Sequence, residues 1–154
     1  MNNYTITIKS RNRVSGSDSD FKIKFDHVFP NDKKVFKCKV ASFVIDTLYE
    51  DPLPVGESDG MHDEHGLPIS SMFLTADFPF INMHSNFMGS PAVALFNLRS
   101  WEMDNSFEFL IGNINHQEIR FRFLSFDNDE QALFNNSNIL RHYSVIVLNA
   151  EALD

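Results

Sequence analysis

The sequence has very few of the residues on which small secreted domains and membrane proteins depend. Cys38 is the single cysteine, so no internal disulfide can form. The longest apolar runs, such as Ser42–Ile45 and Ser144–Leu148, are far shorter than the roughly 18–20 residues that cross a bilayer. The first residues lack the basic start and the apolar centre of a signal peptide. We therefore expect a chain without a membrane span, made in the cytoplasm.

Sequence motifs for catalysis and for phosphate binding are also missing. The chain contains no Gly-rich phosphate loop and no Gly-x-Ser-x-Gly elbow. One cluster, Met61–Gly66, contains His62 and His65, which are possible metal ligands. Their spacing does not match a known helical metal motif, and Gly66 and Pro68 prevent a helix there. A solvated loop is the favoured interpretation, and we predict no catalytic, cofactor-binding or metal-binding residue.

The thiol of the single cysteine has two interpretations. Cys38 lies between Lys37 and Lys39 in a strand-like stretch. A small buried core residue is the favoured interpretation, and a reactive thiol is the alternative.

Phenylalanine is the residue that the chain has in excess, with 16 Phe against one Trp and three Tyr. Many of these side chains alternate with polar ones, which is typical of strands with one buried face. Such runs occupy residues 4–8, 21–26, 35–48, 72–78, 92–97, 107–111, 119–125 and 143–148. No apolar pattern with a helical period continues over ten residues. The pattern therefore predicts an all-β fold, an antiparallel eight-stranded β-sandwich.

The connections between these runs carry further predictions. Ser10–Ser19 is polar and predicts a loop or a wide turn. The apolar parity shifts past Ala41, which predicts a β-bulge or a bend. Tyr49–Pro68 is rich in Pro, Gly and acids and predicts a long exposed loop. Gly112–Asn115 is a hairpin signal, and Gln131–Phe134 could hold a short helical turn.

The charge is distributed unevenly along the chain. The formal net charge is −8, but residues 1–40 have a balance of +5 and the remaining residues one of −13, with no lysine after Lys39. If the fold keeps the two regions apart, opposite flanks would let subunits pack head to tail around a ring. The alternative is that early and late strands mix their charges. Lys22, Lys24, Lys37 and Lys39 favour a solvated strand face, and we predict no specific nucleic-acid partner.

Residues 5–25 resemble the opening of a known family. The shared pattern is a strand that ends in Ser10, then Arg11-Asn12-Arg13, then Ser15-Gly16, then Asp20-Phe21 at the start of the next strand. It is similar to single jelly-roll penton and minor capsid proteins of large double-stranded DNA viruses and of their virophage and polinton-like relatives. The resemblance covers about a seventh of the chain.

The resemblance implies a structural capsid protein of the virion. It implies one jelly-roll domain over residues 1–154, five copies of which close an icosahedral fivefold vertex beside neighbouring major or minor capsid proteins. Residues Arg11, Asn12, Arg13, Gly16 and Asp20 then form a corner or a subunit interface, and the loop at about 49–68 faces the exterior or a vertex fibre. No cofactor and no enzymatic activity are implied.

Two alternatives remain open from the sequence. One is another minor capsid role for the same domain. The other is a β-sandwich module that recognises a receptor or a carbohydrate, which the presence of Trp101 as the single tryptophan disfavours.

Overall fold

The structure is a computed structural model, and it describes residues 2–17, 19–49, 61–62, 71–82, 91–97, 102–125, 133–134 and 139–154. These ranges are almost entirely β-strand, with one short 3-10 turn at Ser10–Asn12 and no α-helix. The strands of the described residues, in chain order, are β1 (Asn3–Lys9), β2 (Ser15–Gly16), β3 (Asp20–Lys24), β4 (Val35–Tyr49), β5 (Met61–His62), β6 (Ser71–Ala76), β7 (Phe80–Asn82), β8 (Ala92–Asn97), β9 (Glu102–Ser106), β10 (Phe109–Gly112), β11 (Glu118–Ser125), β12 (Leu133–Phe134) and β13 (Ile139–Ala152).

The strands form two main antiparallel sheets. Sheet A has the order β1-β13-β4-β10-β7, sheet B has the order β2-β3-β11-β6-β8-β9, and β5 pairs with β12. The inner faces of the two sheets meet: the ring of Phe43 in sheet A stacks on that of Phe96 in sheet B, with centroids 3.8 Å apart. Phe123 of sheet B lies 5.6 Å from the same ring. The predicted all-β antiparallel sandwich is therefore confirmed.

The alternating apolar residues fill the space between the sheets. Phe29 stacks on Phe36 with a centroid distance of 3.8 Å, and Phe21 stacks on Phe121 at 5.6 Å. Burying such a side chain stabilises the fold by about 1.5–3 kcal/mol, and favourable ring pairs add about 0.5–1.5 kcal/mol. The excess of phenylalanine is thus used for the core. The largest fully buried side chains are Phe21, Phe29, Phe36, Phe96, Phe121, Phe123, Ile8, Met72, Leu74, Ile111, Ile114 and Ile119.

The predicted bulge after Ala41 is present. Ala41 has no partner in the pairing of β4 with β13, whose register shifts between Val147 and Leu148. Val40 is buried before the bulge and Phe43 packs against the core after it. The extra residue resets the parity, so this long strand keeps an apolar face toward the core along the part of it described here.

The hairpin prediction at Gly112–Asn115 is wrong. Strand β10 pairs with β4 and β7 in sheet A, whereas β11 pairs with β3 and β6 in sheet B. The connection between β10 and β11 therefore crosses from one sheet to the other.

Asparagine side chains fasten this connection to a neighbouring segment of the chain. Asn115 Oδ1 accepts hydrogen bonds from the backbone N–H groups of Val28 (2.9 Å) and Phe29 (3.0 Å). Asn113 Nδ2 donates to the carbonyl oxygens of Pro30 (3.1 Å) and Lys33 (2.9 Å). These bonds fasten the connection to the segment between β3 and β4, because its side chains replace the backbone partners that a hairpin would supply.

Several short strands were not predicted. Strands β2, β5, β7 and β12 have two or three residues each, too few to show an alternating pattern. Leu133–Phe134 is extended and pairs with β5, so the helical turn is wrong for these two residues. Strand β4 continues to Tyr49, and Met61–His62 forms β5. The rest of the predicted 49–68 loop lies outside the described residues.

The described contacts bring some early basic residues next to late acidic ones. Lys37 of β4 lies 3.5 Å from Glu151 of β13, which faces it in the register. Charges from the two regions of the chain therefore mix on sheet A. No helix in the described ranges has the length and apolar character that crossing a membrane requires.

Candidate functional site at the first corner

The first corner is the segment from Ser10 to Asp20, which carries the chain from sheet A to sheet B. It begins where β1 ends, makes the 3-10 turn, forms the two-residue strand β2 and enters β3. Strand β2 folds back on β3, where Gly16 pairs with Phe21. The polar stretch that the sequence marks as a loop thus contains a short, hydrogen-bonded ribbon.

Arg13 ties the two halves of the corner together. Its Nε donates to the carbonyl oxygen of Gly16 and its Nη1 to that of Ser10, both at 3.2 Å. The backbone N–H of Arg13 also donates to Ser10 at 3.2 Å. The planar guanidinium suits this role because its N–H groups point in fixed directions. One predicted interface residue therefore has an internal structural role.

Gly16 occupies a conformation that suits glycine. Its φ is +100°, in the region that side chains rarely adopt. A Cβ at this position would overlap the backbone carbonyl oxygen of Asp20 and lie 2.8 Å from the Cα of Phe21. The tight turn that follows is closed by the N–H of Ser17, which donates to the Asp20 carbonyl at 2.8 Å. The glycine is thus required by the close approach of β2 to β3.

Asp20 forms a two-point ion pair with Arg120 of β11. Arg120 Nε donates to Oδ1 at 2.8 Å and Nη2 to Oδ2 at 2.6 Å. The hydrogen bond to Asp20 raises the pKa of the Arg120 guanidinium. Because the pair is partly exposed, its main effect is to fix the geometry rather than to add much stability. Arg122 lies 4.0 Å from the same carboxylate.

Ser10 anchors the corner to strand β13 of sheet A. Its side chain is fully buried, and its Oγ accepts a hydrogen bond of 2.8 Å from the backbone N–H of Ser144 in β13. The Ser144 hydroxyl is also buried and has no hydrogen-bond partner among the residues that the structure describes. Ser144 was not predicted as a functional residue, although a polar residue at the start of the apolar run Ser144–Leu148 was a usable signal.

The remaining two predicted residues lie on the surface of the corner. Arg11 and Asn12 are exposed, and the apolar side chain of Val14 is 53% exposed beside them. The structure therefore divides the predicted set: Arg13, Gly16 and Asp20 shape the corner, and Arg11 and Asn12 present polar groups to the outside.

A second surface feature is a shallow trough of about 390 Å³ on sheet A. Lysine, acidic and amide side chains from neighbouring strands line it beside Tyr4, Cys38 and Ala150, so its surface is a mixture of polar and apolar atoms. Its lining residues are Asn3, Tyr4, Thr5, Lys37, Cys38, Lys39, Glu108, Asn149, Ala150 and Glu151.

Two of the residues considered for chemistry, His62 and Cys38, lie within the described ranges. Within the described ranges, no group of three or more His, Cys, Asp or Glu side chains could hold a metal ion. His62 lies in β5, and His65 is outside those ranges. Burial raises the pKa of the Cys38 thiol to about 12, which leaves it uncharged and inert at neutral pH. The prediction of a buried core cysteine is confirmed.

Comparisons with protein-family models, curated proteins and solved structures gave no significant match.

Proposed function

We propose that this chain is a structural capsid protein of single jelly-roll form, the penton subunit that closes the icosahedral fivefold vertex of a large double-stranded DNA virus. The proposal depends on the order in which the strands pair. It also draws on the resemblance of residues 5–25 to the opening of such proteins.

The strand pairs are nested around the middle of the chain. Leaving aside the edge strands β2, β7 and β9 and the small β5–β12 ribbon, eight strands remain. The first pairs with the last (β1–β13), the second with the seventh (β3–β11), the third with the sixth (β4–β10) and the fourth with the fifth (β6–β8). This is the pairing of one long antiparallel hairpin.

The nested hairpin is then rolled so that its pairs join side by side. Strand β13 also pairs with β4, and β11 also pairs with β6. These contacts place two of the nested pairs in sheet A and the other two in sheet B. A jelly roll is a double sheet of eight strands made in this way, so the order of pairing supports that topology.

The first corner has the properties that a subunit contact needs. Its backbone is held by Arg13, Gly16 and the Asp20–Arg120 pair. The exposed Arg11 and Asn12 are therefore attached to a backbone whose conformation is fixed. A preorganised surface loses little conformational entropy when it binds. These two residues are our candidates for the contact between neighbouring subunits of the ring.

The experiment is to determine the oligomer of the purified chain by native mass spectrometry and negative-stain electron microscopy at increasing concentration. We expect a ring of five copies. Arg11→Glu should weaken the ring, and Lys24→Glu, the same charge reversal at the far end of β3, should not. A chain that remains without fivefold rings at every concentration, alone and with co-expressed capsid proteins, would refute the proposal.

A further inference from the structure

Strand β1 is a long edge strand of sheet A. Among the described strands it has a neighbour, β13, on one side only. All seven of its residues pair with β13 without a shift in register. It contains no proline and no bulge, and Lys9, at its end, is its single charged residue. Prolines, bulges and charged residues are the features that ordinarily prevent an edge strand from pairing with another chain, so β1 has little of this protection.

The unpaired backbone groups of β1 follow from its pairing with β13. The carbonyl of Asn2 accepts a hydrogen bond from the N–H of Ala152 at 2.8 Å. In an antiparallel pair the residues alternate, so even-numbered residues direct their N–H and C=O groups toward β13. The odd-numbered residues therefore direct theirs outward, and these are Asn3, Thr5, Thr7 and Lys9.

The other edges of the described sheets differ from β1. Strand β2 has two residues, and β7 has three and a register shift against β10. Strand β9 has five residues and carries the exposed Asp104, whose negative charge opposes pairing with a like strand. Strand β1 is thus the described edge that is best suited to accept a further strand.

We propose that β1 pairs antiparallel with β1 of a second copy of this chain, about a twofold axis at Ile6. In this register Thr5 faces Thr7 and Asn3 faces Lys9 of the partner. Every outward N–H and C=O group then meets one of the opposite kind, since odd-numbered residues face odd-numbered residues. A register displaced by one residue would oppose outward groups to inward ones.

The side chains also match in this register. On the outer face, Thr5 and Thr7 form threonine pairs, which stabilise antiparallel strands, and Lys9 lies opposite an uncharged residue. On the inner face, Ile6 lies opposite its own copy. Ile6 is 8% exposed and Tyr4 is half-buried at the rim of the core. The second copy would complete the burial of this rim.

This contact goes beyond the proposed capsid function. A twofold contact uses the same surface on both copies, so it cannot itself close a ring of five. A single pair of strands is also smaller than a standard protein–protein interface, so we expect a dimer that depends on concentration.

The experiment compares two double variants of the full chain by analytical ultracentrifugation. Thr5→Lys with Thr7→Lys places like charges opposite each other across the twofold axis. Thr5→Lys with Thr7→Glu changes the same exposed positions but places opposite charges there. Both variants lose the exposed 3.4 Å hydrogen bond from Thr5 to Asn149, so they are matched in that respect. The first also lowers the net negative charge, which would by itself favour association.

We expect a wild-type dimer whose dissociation constant rises at least about tenfold in the Lys/Lys variant and returns to near the wild-type value in the Lys/Glu variant. A wild-type chain with no dimer, or a dimer equally stable in both variants, would overturn the proposal. Rings of five that both variants leave intact, with no dimer, would overturn it while supporting the capsid function. A charge-sensitive dimer without rings would support it and contradict the capsid function.

Discussion

Replacing Gly16 by alanine tests the account of the first corner directly. The new Cβ would meet the backbone carbonyl of Asp20 and the Cα of Phe21, neither of which is the end of a flexible side chain. An alanine in the left-handed region costs about 1–2 kcal/mol. Moving the backbone away would also lengthen the hydrogen bond between Ser17 and Asp20, now 2.8 Å. A typical hydrogen bond contributes about 0.5–1.5 kcal/mol.

Together these contributions predict that Gly16→Ala lowers the free energy of unfolding by roughly 1.5–3.5 kcal/mol. For a chain of this size the midpoint of thermal unfolding should fall by about 3–14 °C. The measurement is urea unfolding followed by intrinsic fluorescence, together with calorimetry. The urea midpoint should decrease while the slope of the transition stays the same, because the surface exposed on unfolding is unchanged.

Ser15→Ala is the matched control, since Ser15 is the exposed neighbour of Gly16 in β2. It should change the free energy of unfolding by less than about 0.5 kcal/mol. If Gly16→Ala were as stable as Ser15→Ala, the close approach of β2 to β3 would be wrong and the corner would be a loose loop.

Three further predictions concern other described residues. Ser10→Ala should destabilise the fold by about 1–3 kcal/mol, because the buried N–H of Ser144 loses its acceptor, whereas Ser144→Ala should be nearly neutral in the same urea assay. Cys38 should not react with Ellman's reagent at neutral pH until urea unfolds the chain, since burial raises its pKa to about 12; a rapid reaction of the folded protein would contradict this. Hydrogen bonds from the backbone, first that of Lys34, lower the pKa of Asp154. Its stabilising effect should therefore be present above the ordinary carboxyl pKa of about 3.9 and be lost as the pH falls through the lower folded value, and Asp154→Asn should reduce this acid dependence of thermal unfolding.

The sequence predicted the strands well where they are long and half-buried. Alternation of Phe and Ile with lysine and threonine marks β1 and β3, and the change of parity at Ala41 marks the bulge in β4. Both signals are local, because a strand shows its buried face within a few residues. Strands of two residues carry no such signal, which is why β2 and β12 were missed.

Contacts between distant residues could not be predicted from one sequence. Asp20 was selected because it directly precedes Phe21 at the start of a strand. Its partner Arg120 lies a hundred positions later, and no local pattern in the sequence indicates that β3 pairs with β11. The hairpin error at Gly112–Asn115 has the same cause. Turn-forming residues indicate that the chain changes direction, but the strands that already occupy a sheet decide where it goes next.

Three of the five corner residues have roles inside the fold. Arg13, Gly16 and Asp20 each have a structural reason that applies to any domain with this turn, so their presence supports the fold more than the function. The assembly proposal must therefore be tested at residues that folding does not require. Asn12 is such a candidate, because it is exposed on the same turn. An Asn12→Glu variant should keep wild-type stability and weaken the fivefold ring, and a loss of stability instead would show that Asn12 too only shapes the turn.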